Sequence, residues 1–199
     1  MFDVSLGNVS QEEAERLGRC GDWMDDVPHS PGSTEPWISQ LVAKFVIARG
    51  ARSVLETGCF LGATTIHLWN ALRRLGGGEL TCCDIDTERL DATKRRLDDR
   101  AVCAGGESVT VNYASGDVLG WLRIWDRRFD LAWVDDNHEK PHVTKELRLL
   151  YPKMAKGGLI LLHDVYGVCD LKTVVREFGG YSIDLPRLGP AGGLGIIQV

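Results

Sequence analysis

Nothing in this 199-residue chain carries a C-x-x-C pair, a basic start ahead of an apolar stretch, or an excess of positive charge. No uninterrupted apolar run comes near 18 residues, so no segment is expected to span a membrane. The opening "MFDVSLGNVSQEEAERLG" has no signal-peptide pattern, and a cytoplasmic location is the expectation. The six cysteines, at 20, 59, 82, 83, 103 and 169, lack zinc-ligand spacing. They also lack the density of a disulfide scaffold, which fits a reducing compartment. With a formal net charge of −5, neither nucleic acid nor an anionic membrane is an expected partner. There is no G-K-[ST] phosphate loop, no G-x-G-x-x-G dinucleotide fingerprint and no internal repeat.

What remains is an ordinary globular composition, 44% hydrophobic and 26% charged, long enough for one domain that buries roughly 70% of its unfolded surface. Residues 1–35 are polar and irregular. They are expected to form a lid over a site or a segment that pairs two copies as a homodimer. From 36 to 199 short apolar runs alternate with helical patterns. Glu35-Pro36 opens a helix, "WISQLVAKFVIARG", that Gly50 stops. Strands follow at "RSVLET", "ELTCCD", "SVTVNY", "FDLAWVD" and "GGLILLHD", with helices between them, one of them "HVTKELRLLYPKM". "YSIDLP" and "GLGIIQV" are too close for a crossover and should pair antiparallel. The pattern predicts an α/β fold: a Rossmann-like, doubly wound, seven-stranded sheet of five parallel strands plus a C-terminal antiparallel hairpin, with helices on both faces.

Ligands of open parallel sheets collect beyond the carboxyl ends of the strands. Here every parallel strand ends at or near an acid: Glu56, Asp84, Asp117, Asp135 and the pair His163-Asp164. The first strand runs into "ETGCFLGATT", whose glycines stand four apart. A carboxylate beside that turn disfavours a pyrophosphate, which argues against a nicotinamide dehydrogenase, but it suits a ligand carrying an amine and a sulfonium. Asp84 is placed to accept ribose hydroxyls, and Asp86 to cap the next helix. Asp117 has two readings, an acceptor for an exocyclic amine and a cap for the helix after it. A response-regulator receiver would need paired acids after the first strand, where only Glu56 stands.

Taken together, "LETGCFLGATT", "LTCCDID", "SGD", "FDLAWVDDNHEK", "KGGLILLHDV" and the ending "GLGIIQV" resemble the class I S-adenosylmethionine (SAM)-dependent methyltransferases. The resemblance is nearest to the O-methyltransferases of the catechol and caffeoyl-CoA group and their bacterial relatives, and it covers about four-fifths of the chain. It implies a SAM cofactor held by Glu56, Gly58, Phe60, Gly62, Thr64 and Asp84, with Asp117 near the adenine and Asp135 also within reach. It implies a small-molecule hydroxyl as acceptor and a divalent metal, magnesium in the usual case, at Asp135, His163 and Asp164. His163 departs from that pattern, because a carboxylate is expected there and imidazole favours a transition metal. His163 and Asp164 should also alternate faces of the strand.

For proton removal the candidate catalytic pair is Asp135 and His138. His138 stands where catechol-type relatives have a lysine base, and Asn137 stands where sugar-modifying relatives have an aspartate. His138 and His142 have the spacing of a helical metal pair, but Pro141 starts the helix and leaves His138 outside it. Trp23, Trp37 and His29 are candidates for an acceptor pocket, while most tryptophans should fill the core. A metal-free methyltransferase for an amine, carbon or carboxylate acceptor, and a SAM-binding protein without transfer activity, are the competing readings.

Overall fold

The computed structural model describes Val27 and residues 30–104, 109–185 and 190–199, without the side chains of 102–104. Trp23 and His29, and most of the segment 1–35, lie outside the described residues. In chain order the elements are α1 (Pro36–Arg49), β1 (Ser53–Thr57), α2 (Ala63–Arg74), β2 (Gly78–Asp84), α3 (Thr87–Ala104), β3 (Val109–Ser115) and α4 (Val118–Ile124). They continue as β4 (Phe129–Val134), α5 (Lys140–Leu150), β5 (Met154–Gly167), α6 (Lys172–Glu177), β6 (Tyr181–Ile183) and β7 (Ala191–Gln198). The helix expected to run through Met154 ends at Leu150. Pro152 allows only a 3₁₀ turn over Tyr151–Lys153, and Met154 already belongs to β5. No helix of the described residues is long and apolar enough to cross a membrane.

The sheet has seven strands in the order β3-β2-β1-β4-β5-β7-β6. β1 through β5 pair in parallel, and β7 runs antiparallel to both β5 and β6. The C-terminal hairpin is therefore inserted strand-last: β7 sits inside, with the three-residue β6 at the edge. Alternation along the strands separates two cores. Val54, Leu80, Cys82, Leu131, Trp133 and Leu161 face α1, α2 and α3. Leu55, Cys83, Phe129, Ala132, Ile160 and Leu162 face α4, α5 and α6. Cys82 and Cys83 thus point to opposite faces, as strand geometry requires. The described cysteines are free thiols. Trp133 and Trp69 are buried, Trp121 and Trp125 pack with Phe129, and Trp37 is 40% exposed.

The strand order reverses between β1 and β4, and their register places Thr57 opposite Val134. The two chains leave the sheet side by side, which brings the turn after β1 against the one after β4. At Gly58, φ is +75°, and a Cβ there would stand 2.3 Å from the Asp135 carbonyl oxygen. Only glycine meets both conditions. Gly50 has φ +60° with nothing within 4 Å of its would-be Cβ. Gly58→Ala is expected to cost about 3 kcal/mol or more, against about 1 kcal/mol for Gly50→Ala, by thermal or urea unfolding. Equal losses would mean the close approach adds nothing.

Candidate functional site

The carboxyl ends of β1, β2, β4 and β5 open into one cavity of about 710 Å³. That is a size suited to a cofactor and a small acceptor. Its walls include Glu56, Gly58, Phe60, Thr64, Asp84, Asp117, Asp135, His138, His163 and Asp164. All the acids expected at the strand ends converge here.

At the β1 end, the loop turns through Gly58, Phe60 and Gly62, all at positive φ. Asp84 braces it: the Phe60 N–H donates to Asp84 Oδ2 at 2.9 Å, and the Asp86 N–H donates to Oδ1 at 2.9 Å. Thr93 donates its hydroxyl to the Phe60 carbonyl, and Arg96 donates to that of Leu61. Glu56 is 1% exposed, and its Oε2 has no hydrogen-bond partner. Burial pushes its carboxyl up to about 8. Thr64 also lines the cavity, but its hydroxyl pairs with Ser39 at 2.8 Å, so it ties α2 to α1. Asp86 caps α3 by accepting from the Glu88 and Arg89 N–H groups. Asp117 accepts the Leu119 N–H as a helix cap, and it also lies on the cavity wall.

At the other end, Asp135 follows β4 and His163 lies on the neighbouring β5. Asp135 Oδ1 accepts from His163 Nδ1 at 3.0 Å and from His138 Nε2 at 3.1 Å. Its Oδ2 accepts from the Thr34 hydroxyl at 2.6 Å. The second nitrogen of His163, Nε2, donates to Glu35 Oε2 at 2.8 Å. Asp164 does not take the opposite face. The β5–β7 register shifts after His163, Asp164 adopts φ +53°, and its carboxylate comes within 3.5 Å of His163 and 3.6 Å of His138. Asp135, His138 and His163 bring donor atoms within 4.8 Å of one another. Asn137 is a loop former, its side chain accepting the Glu139 N–H. Trp37 is not part of the cavity wall.

A family model described as a methyltransferase domain matches residues 55–165. The chain belongs to that methyltransferase-domain family. Solved structures share its fold at low identity. An O-methyltransferase of Streptomyces achromogenes involved in tomaymycin synthesis, in complex with SAM, is 20% identical, with a TM-score of 0.67 over 98% of this chain and 92% of that one. An O-methyltransferase of Bacillus cereus in complex with SAH is 17% identical, with a TM-score of 0.66 over 98% and 93%. An SAH-bound methyltransferase of Podospora anserina is 16% identical, with a TM-score of 0.67 over 98% and 99%. Comparison with curated proteins gives no match.

The electrostatics of this methyltransferase-domain site are set by pairing. Burial alone would lower His163, but the Asp135 charge and the hydrogen bonds to Asp135 and Glu35 outweigh it and lift the imidazole to about 11. Burial likewise acts to raise Asp135, but the His163 charge and the two imidazole hydrogen bonds hold it well below the usual carboxylate range. His138 is lowered by burial and raised more strongly by Asp135, for a net upward shift. Burial raises Asp164.

Beside this cluster stands a second one that the sequence reading missed. His142 Nε2 lies 3.1 Å from Asp136 Oδ2 and 3.9 Å from Glu146 Oε2, and Thr57 donates its hydroxyl to Glu146 Oε1 at 2.9 Å. α5 begins at Lys140, with Pro141 in its first turn, so His138 stays outside it and His142 pairs forward with Glu146 instead. Glu35 and Thr34 were equally hidden, read only as the start of a helix. Their contacts span 128 and 101 residues of chain.

The His163 clamp has a defined pH signature. Its folded pKa lies above the unfolded value of about 6.5, so its stabilisation is complete below that pH and is lost as pH rises toward 11. Asp135 is depressed, so its share is present above about pH 4 and lost as pH falls. His163→Gln is expected to cost about 3 kcal/mol near pH 6. The gap to wild type should shrink as urea unfolding is repeated at higher pH; a gap that stays constant to pH 10 would contradict the clamp.

Proposed function

We propose that the protein is a SAM-dependent O-methyltransferase that methylates the hydroxyl of a small molecule, with His138 as general base. The observation that carries the cofactor reading is Glu56: a buried carboxylate with one unpartnered oxygen, at the end of β1 just before the glycine turn, on a cavity wall shared with Asp84. That orphaned oxygen fits an ammonium group, and an amino-acid ammonium would hold Glu56 ionised where burial alone does not. Asp84 keeps acceptor capacity for ribose hydroxyls beyond the backbone N–H groups it braces. Ile85, 77% exposed on the same wall, offers an apolar face to a base.

When bound, SAM supplies a methyl group made electrophilic by its sulfonium. The protein's part is to hold the acceptor oxygen in line with that carbon and take its proton. Asp135 fixes the His138 proton on Nε2, and Nδ1 makes no hydrogen bond among the described residues. Nδ1 is therefore the nitrogen that would receive the acceptor's proton on methyl transfer from SAM. His163, held as a cation between two carboxylates, supplies fixed positive charge near the developing alkoxide.

Magnesium fits this arrangement poorly. It wants oxygen donors, whereas here both Asp135 oxygens already face protein donors and both His163 nitrogens face carboxylates. The reading adopted is transfer without a metal. The proximity of Asp135, His138 and His163 favours a second reading, in which a transition ion sits among those three donors.

Calorimetric titration of SAM into the purified protein tests the cofactor half. Wild type is expected to bind, with Asp84→Ala and Glu56→Gln each weakening affinity about 10- to 100-fold through a lost charge-assisted contact; unchanged affinity would remove the assignment. Transfer from radiolabelled SAM to a panel of catechols and other small hydroxyl compounds tests the base. His138→Ala should lower kcat about 10²- to 10⁴-fold while SAM affinity holds. The wild-type rate should rise with pH through a single ionisation above the usual imidazole value. A rate lost to chelator and restored by manganese in wild type and in His142→Ala alike would select the second reading, since His142 belongs only to the neighbouring cluster.

A further inference from the structure

We propose that Asp136, His142 and Glu146 form a binding site for a divalent transition ion, separate from the Asp135–His163 cluster. Their ligand atoms lie within 4.8 Å of one another, one imidazole nitrogen and two carboxylate oxygens. That donor set suits zinc and its neighbours rather than magnesium or calcium. Glu146 is fully buried, and its Oε2 has no hydrogen-bond partner although it lies 3.9 Å from His142 Nε2. Asp136 Oδ1 is buried without a partner as well. Asp136 Oδ2 already holds the imidazole, so Glu146 Oε2 and Asp136 Oδ1 are left buried and unpartnered, a costly arrangement for the protein alone. A cation among them satisfies both.

The fold supports the geometry. His142 and Glu146 stand one turn apart on α5, where i and i+4 side chains share a face. Thr57, at the end of β1, holds Glu146 by its other oxygen and fixes the carboxylate as an outer-shell partner does in metal sites. Asp136 and His142 line the cavity, whereas Glu146 is fully buried and not part of its wall, so an ion would reach the site from the cavity side. Bound there, the ion ties α5 and β1 to the loop that carries Asp135 and His138. Its role is to position that loop.

The test uses the full-length protein stripped of metal and titrated with Co²⁺, whose absorption bands report its ligands, followed by Zn²⁺ competition and elemental analysis after dialysis. One equivalent should bind, and it should raise the melting temperature by about 5 °C at a hundredfold excess over Kd. Binding should weaken at least about tenfold in His142→Ala and in Glu146→Gln and persist in His163→Ala. His142, with its side chain 20% exposed, is the deciding variant if Glu146→Gln fails to fold. Absence of binding, binding indifferent to His142→Ala, or binding lost only in His163→Ala would each overturn the proposal. None of these readouts involves SAM, so failure of the cofactor reading would leave the result intact.

Discussion

The Asp135 carboxylate is the point on which the site depends. It leaves β4 beside the turn after β1 and accepts hydrogen bonds from Thr34, His138 and His163. Those partners come from the segment before α1, the loop before α5 and the strand β5. One buried anion therefore sets the position of three parts of the chain that share no secondary structure. Its charge is matched by His163, and His163 is matched in turn by Glu35. Removing one member of such a buried chain leaves another unpaired, which costs far more than the pair itself contributes. This orders the Asp135 end of the cavity before any ligand arrives, the condition under which fixed charges help a reaction.

The Glu56 end of the cavity works on the opposite principle. Glu56 is buried without a compensating cation, and desolvation, with the nearby Asp135 and Asp84 charges, pushes its carboxyl up to about 8. A group in that state binds a cation strongly because protein and ligand each relieve the other's cost. The same incompleteness marks Glu146, which burial and the nearby Asp136 raise well above the ordinary carboxylate range. A satisfied charge network at one end and unsatisfied acids elsewhere divide the cavity into a part that orders itself and parts that await ligands.

Much of this was legible in the residues. Apolar strands between helical patterns gave the sheet, and an acid at each strand end marked the cavity, because parallel strands must open their carboxyl ends to the same side. What was not legible depends on tertiary register. Glu35, just ahead of α1, reaches His163 across 128 residues of chain, and no local pattern predicts that. Asp164 joins His163 on one side because the β5–β7 ladder slips by a bulge, which defeats simple alternation. The place of β7 between β5 and β6 also escaped, since hairpin signals fix pairing but not order. His142 was weighed against His138, its neighbour before the helix, while its true partners lay in the loop after β4 and one turn along α5.

A buried imidazolium, clamped between Asp135 and Glu35, orders this end of the cavity. Nitrogen-15 NMR of the histidine side chains reads this directly. His163 is expected to show two protonated ring nitrogens from pH 6 to pH 9, with no titration in that range. A His163 ring that is neutral at pH 8, with one nitrogen unprotonated, would contradict it.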